Sequence, residues 1–363
     1  MKQPSYIFLL VGLFLFFVTS CEEIYNPDLE SVPGIMVVES HITNDLNQNY
    51  VILSTTNDFY NPEPQKKVTG ARVDLVQVTG TNLRPIETPF KSTENGPGFY
   101  VFQNFPVPGN KYKLRILVGK DIFESNLEQM PPLPVIDSLY TGYKIEKSYR
   151  TDSYGPPALV ESPGQEIYID APITSSLQYY RFNWRTVLQW TYYPGSSFGP
   201  PPPSYFGWIS RYQDGLFNLA GIKQFSSSNH VIKHPIITLP YDVDAQLDSA
   251  SQLGCGWIVM LDQYGISKDS YNFYENLNKQ LTAEGNLFDP LLAQVYGNIH
   301  CKNDASKIVL GYFDLNSYRH YRYYLNLGFS EKNKVIKHEI KNYPIIPDRG
   351  YVRGIPPVFW EIN

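Results

Sequence analysis

The sequence predicts a mainly β protein of two β-sandwich domains, the second carrying one amphipathic helix. Three observations predict it. Prolines (29) and glycines (25) are scattered through 363 residues without a period, which suits short strands joined by turns and suits long helices badly. Apolar and polar residues alternate with period two along successive short runs, as half-buried strands require. A charged fraction of only 18% with 15% aromatics belongs to a chain that packs a core, and a net charge of −5 excludes an electrostatic nucleic-acid binder.

Residues 1–20 read as a lipoprotein signal peptide. Lys2 precedes an apolar run from Ile7 to Val18, shorter than the roughly 20 residues a spanning helix needs. Val18-Thr19-Ser20-Cys21 resembles the bacterial lipoprotein box, which implies cleavage before Cys21 and lipidation of that cysteine. Residues 21–34 then form the anchor and tether. Several acyl chains on one residue hold a protein firmly to a membrane, and the Glu22-Glu23 pair resembles a surface-export signal, so the expected location is the outer membrane, facing the cell exterior, with a periplasm-facing orientation as the alternative. With Cys21 lipidated, Cys255 and Cys301 remain as an even pair in an oxidising compartment and are expected to form a disulfide; two buried free thiols are the alternative.

Residues 35–130 carry the first sandwich. Strand runs are expected at Ile35 to Ser40, Tyr50 to Thr55, Ala71 to Val78, Phe99 to Phe105 and Lys111 to Val118. In the last, Tyr112, Leu114, Ile116 and Val118 share one face, opposite Lys111, Lys113 and Arg115. Asn95-Gly96-Pro97-Gly98 and Pro106-Val107-Pro108-Gly109-Asn110 mark turns. Gly70 to Leu75, Gly98 to Phe102 and Pro108 to Tyr112 together resemble the carboxypeptidase regulatory-like and transthyretin-like sandwich modules, which are scaffolds and imply no chemistry.

Residues 131–135 are a stiff Pro-rich linker, and 136–343 the second sandwich. Between Gln178 and Tyr193 the even positions are almost all large and apolar and the odd ones mostly polar, predicting a strand so long that it carries a bulge or protrudes as a hairpin. A helix is expected near 267–284, capped by Ser267, with Phe273, Leu277 and Leu281 at i, i+4 and i+8 and Gly285 as terminator. Residues 344–363 read as an irregular tail.

Chemistry-bearing motifs are few. Gly195-Ser196-Ser197-Phe198-Gly199 matches the serine-hydrolase elbow, but Pro200 to Pro203 follow at once and cannot begin the required helix. His230 and His234 lie too far apart on a strand to share a metal, and Asp45-x-Asn47-x-Asn49 and Asp242-x-Asp244 lack the glycine of a calcium loop. No catalytic residue, metal site or cofactor is assigned. Aromatic clusters remain as surface candidates for a partner or for a peptide, glycan or small-molecule ligand: Tyr192, Tyr193, Tyr205, Phe206 and Trp208 flanking the polyproline loop, and Tyr318, Arg322 and Tyr324 on one face of a later strand. The alternative for each is packing within its own domain.

Met36 to Thr43, Pro132 to Tyr140, the helix, Gly285 to Pro290, Gly297-Asn298-Ile299 and Val309-Leu310-Gly311-Tyr312-Phe313, in this order after the lipobox, resemble an uncharacterised family of Bacteroidetes outer-membrane lipoproteins (domain of unknown function 4249). The likeness covers nearly the whole mature chain. Such proteins are typically encoded beside TonB-dependent receptors. The resemblance implies a non-catalytic accessory subunit of such a transporter; a structural or adhesive cell-surface stalk is the alternative. It brings no catalytic residues.

Overall fold

The computed structural model describes residues 34–57, 64–81, 83–150, 156, 158–192, 205–222, 229–240, 256–283, 295–326, 334–336 and 350–352. The signal peptide, Cys21, Tyr193, Cys255 and the final segment 353–363 lie outside them. The described chain is mainly β, with one α-helix.

Eight strands open the described part of the chain: β1 (Met36–Thr43), β2 (Tyr50–Thr55), β3 (Arg72–Thr81), β4 (Arg84–Glu94), β5 (Phe99–Phe102), β6 (Lys111–Val118), β7 (Asp121–Ser125) and β8 (Glu128–Gln129). One sheet runs β1–β2–β5 and ends on the last residues of β4, Ser92 to Glu94. The other runs from the first part of β4 through β3 and β6 to β7. Val38, Val51 and Leu53 from the first sheet meet Leu75, Leu114 and Ile116 from the second in one core. The alternation expected in β6 is present: Tyr112, Leu114 and Ile116 are buried, while Lys113 and Arg115 pair with Glu87 and Glu124 on the other side.

After Met130 come β9 (Ser138–Arg150), β10 (Ala158–Pro172), β11 (Tyr179–Tyr192), β12 (Tyr205–Tyr212), β13 (Asn218–Gly221), β14 (His230–Pro240), β15 (Gly256–Ile266) and the helix α1 (Lys268–Leu281). They are followed by β16 (Ile299–Cys301), β17 (Val309–Tyr312), β18 (Leu315–Asn326), β19 (Lys334–Ile336) and β20 (Gly350–Val352). A three-stranded sheet β9–β10–β14 packs on a sheet centred on β11, β15 and β18. Ile167, Ile169 and Leu239 of the former and Tyr180, Phe182, Leu261 and Tyr323 of the latter fill a second core. The long hairpin is present, with β11 paired to β12 as far as Tyr192 and Tyr205.

The division of the chain between the cores differs from a simple cut at the linker. Ile299, Cys301, Val309, Phe313 and Leu315 belong to the first core, because β16 adds to β7 and β17 runs parallel beside β1. Chain continuity from β17 into β18 therefore stitches the two cores together, and β1 pairs with both strands. The linker is itself docked: Ser317 Oγ donates to the Pro132 carbonyl, and Gln263 Nε2 to that of Val135.

Two expectations need correction. No disulfide is found among the described residues, and Cys255, the expected partner of Cys301, lies outside them. Cys301 is a free thiol buried in the first core, where a small apolar side chain packs well, and its Sγ donates to Asn303 Oδ1 at 3.2 Å. The helix begins where expected, with Ser267 Oγ accepting from Ser270 N at 3.1 Å, but the side it buries carries Ser270 and Tyr274, and Leu281 is exposed.

Candidate functional site

The junction between the two cores is where buried charge collects. In β1, Val38 and Ile42 point into the first core, so Glu39 and His41 lie on the opposite face of that sheet. Register places Tyr312 beside Glu39 and Tyr50 beside His41. This aromatic face meets α1 and the outer face of the second unit's large sheet, where Arg181, Tyr264 and Tyr318 stand side by side across β11, β15 and β18.

Asp314, in the step from β17 to β18, is the hub. It is 2% exposed, and its carboxylate accepts from Arg181 Nη2 at 2.9 Å, from Tyr274 Oη at 2.7 Å and from Ser270 Oγ at 3.0 Å. Its backbone is held as well: its N–H donates to Ser40 Oγ at 2.9 Å and its carbonyl accepts from Ile42 N at 3.1 Å. One residue thus ties β1, β11 and α1 together. The Arg181 guanidinium lies over the rings of Tyr264 at 4.4 Å and Tyr274 at 4.7 Å. Burial opposes its charge, but the fields of Tyr274, Asp314 and Tyr264 outweigh burial and raise its pKa. Burial raises the pKa of Tyr264 and of Tyr274, keeping both as neutral phenols. His41, between Tyr50 at 5.5 Å and Tyr264 at 5.6 Å, is pushed below its ordinary value by burial and then by the charge of Arg181.

The approach of β17 to β1 depends on glycine. Gly311 has φ +101°, and a Cβ there would sit 1.9 Å from the Val38 carbonyl oxygen. A Cβ on Gly297 would sit 1.6 Å from the Gly311 carbonyl. Beside them the buried Asn298 imitates a strand: Phe313 N donates to its Oδ1 at 2.7 Å, and its Nδ2 donates to the Phe313 carbonyl at 3.2 Å. These contacts set the position of Asp314, the next residue.

Above this floor lies a cleft of about 380 Å³ lined by Tyr50, Phe217, Phe273, Tyr274 and Tyr312, with Glu39, His41, Arg181 and Asp314. Its polar groups converge within a largely aromatic lining, an arrangement that suits binding.

Of the residues singled out from sequence, only Tyr318 falls at this junction. Tyr192, Tyr205, Phe206 and Trp208 are on the paired ends of β11 and β12, with Tyr192 opposite Tyr205. Tyr324 pairs with Ile258 and Lys334. Arg322 is not a surface residue: β18 lies between β15 and β19, and Arg322 is 3% exposed. Tyr318 is half-buried, its hydroxyl donating to Asp262 Oδ1 at 2.9 Å and its ring 5.3 Å from that of Tyr264, so it supports the junction from within. Arg181 and Asp314 were missed; the signal for them was the motif ending at Phe313 and the polar face of β11.

Residues 22–322 match the family described as a domain of unknown function (DUF4249). The chain belongs to that family. No curated protein matches it, and no solved structure does. The matched region ends within β18, so it takes in the first core, all of the second but Tyr323, the helix and every residue of the Asp314 network. Glycines 297 and 311, Asn298 and the aromatic lining of the cleft are all inside it.

Proposed function

We propose that this family member is an outer-membrane lipoprotein, anchored through Cys21 and facing the cell exterior, that serves as a non-catalytic accessory or binding subunit of a TonB-dependent transporter. One observation carries it. The family match begins at residue 22, immediately after the cysteine of Val18-Thr19-Ser20-Cys21, so the matched domain starts where lipoprotein processing would leave the mature chain. The structure is compatible with a globular body held at a membrane by its amino terminus: among the described residues, no helix is long and apolar enough to cross a bilayer. The firm docking of the two cores through Asp314 supports a rigid module that presents surface to a partner, more than a stalk of loosely linked sandwiches.

Mass spectrometry of the amino-terminal peptide from protein purified out of native membranes tests the anchor. The expected result is a peptide beginning at Cys21 and carrying acyl chains. A peptide that begins elsewhere or carries an unmodified Cys21 overturns it.

A further inference from the structure

We infer that the cleft at the junction of the two cores is a binding site for a small organic cation, an ammonium group on an apolar body. It goes beyond the proposed anchoring and partnership, and a chain without lipid would bind the same ligand.

The first support is the wall. Phe273 of α1 stacks on Tyr312 with centroids 4.6 Å apart, and Phe217 lies 4.5 Å from Tyr274. Phe217, Phe273 and Tyr50 are half-buried, so part of each ring remains open to the cleft. The faces of aromatic rings are electron-rich and attract cations within about 6 Å of the centroid.

Charge is the second. The only formal cation in the lining among the described residues, Arg181, already has partners: Asp314 neutralises it, and the rings of Tyr264 and Tyr274 lie against its guanidinium. It exposes 12% of its side chain, and its Nε, which has no hydrogen-bond partner, is buried, so little of the guanidinium is accessible to an anion. Glu39 is different. It is exposed in β1, lines the cleft, and makes no ion pair among the described residues. The lining therefore keeps one uncompensated negative charge, because burial and Arg181 together favour neutral His41. An anion entering would meet Glu39, a neutral flat ligand would leave that carboxylate unused, and a cation satisfies both ring faces and carboxylate.

Calorimetric titration of the full chain in detergent tests this with four probes: benzyltrimethylammonium, benzyl alcohol, benzoate and methyl glucoside. The cation is expected to bind at least about ten-fold more tightly than the other three, with an affinity that falls as salt rises. Glu39→Gln should weaken the cation about ten-fold and leave benzyl alcohol unchanged, since Glu39 is exposed and contributes no core contact. Phe273→Ala should weaken both. Equal or tighter binding of benzoate or the glucoside, an unchanged cation affinity in E39Q, or no binding by any probe would overturn the assignment.

Discussion

Replacing Asp314 with alanine removes the shared acceptor of three donors at the junction. The Arg181 guanidinium, 12% exposed, is left as a buried charge whose remaining partners are ring faces. Breaking a buried ion pair from one side costs about 3–5 kcal/mol, and the stranded hydroxyls of Ser270 and Tyr274 add about 1 kcal/mol each. Because neighbouring losses overlap, Asp314→Ala is expected to lower stability by about 4–6 kcal/mol, a large part of a typical total of about 5–15 kcal/mol. Arg181→Met alone should cost less, about 2–3 kcal/mol, since Asp314 keeps two hydroxyl donors. The double variant Arg181→Met/Asp314→Leu exchanges the pair for apolar groups and should fall short of the summed losses by about 2 kcal/mol or more. Urea unfolding of the full chain, followed by tryptophan fluorescence, measures all four corners of the cycle. A loss below about 1 kcal/mol for Asp314→Ala, or additivity within about 0.5 kcal/mol, would refute the bridging role.

Acidity should act through His41. Its pKa in the folded protein lies below the ordinary 6.5, so the unfolded chain binds the proton more readily. The contribution is fully present above pH 6.5 and is lost as pH falls from there through the depressed folded value. His41→Asn should flatten that part of a plot of Tm against pH; an unchanged slope would remove His41 from the account. Gly311→Ala should destabilise by several kcal/mol, since strain at φ +101° adds to a 1.9 Å clash with a backbone oxygen, and thermal melts would show it. Ser267→Ala should cost about 1 kcal/mol by uncapping α1, measured in the same urea assay; a change indistinguishable from zero would mean the cap bond to Ser270 N carries no weight. Cys301 should react with a maleimide only after unfolding, because it is a free thiol buried in the first core.

Much of the fold was legible because burial writes itself into periodicity. β6 has one wet and one dry face, and its residues alternate accordingly. β4 was not anticipated: nearly all of it is exposed, it holds Pro85 and Pro89, and without a dry face no alternation is imposed. Ser267 announced the helix start through its side-chain chemistry, whereas the buried face of α1 was misread because Ser270 and Tyr274 are buried for hydrogen bonds to Asp314 and not for hydrophobicity. The return of 299–315 to the first core rests on pairings between residues more than 170 positions apart, such as Ile299 with Ser125, which no local pattern encodes. The same holds for the site. Arg181 and Asp314 are 133 residues apart, and each alone looks like an ordinary polar residue beside apolar neighbours. Gly297, Asn298 and Gly311 stood out in the sequence as motif residues, and their physical reason is the close packing that sets Asp314 in place.

Affinity purification of the native protein from outer membranes in mild detergent, followed by mass spectrometry of what comes with it, tests the functional account most directly. A TonB-dependent barrel recovered in stoichiometric amount, and lost when Cys21→Ser prevents anchoring, is the predicted result. Recovery of the lipidated protein without a barrel partner would contradict it.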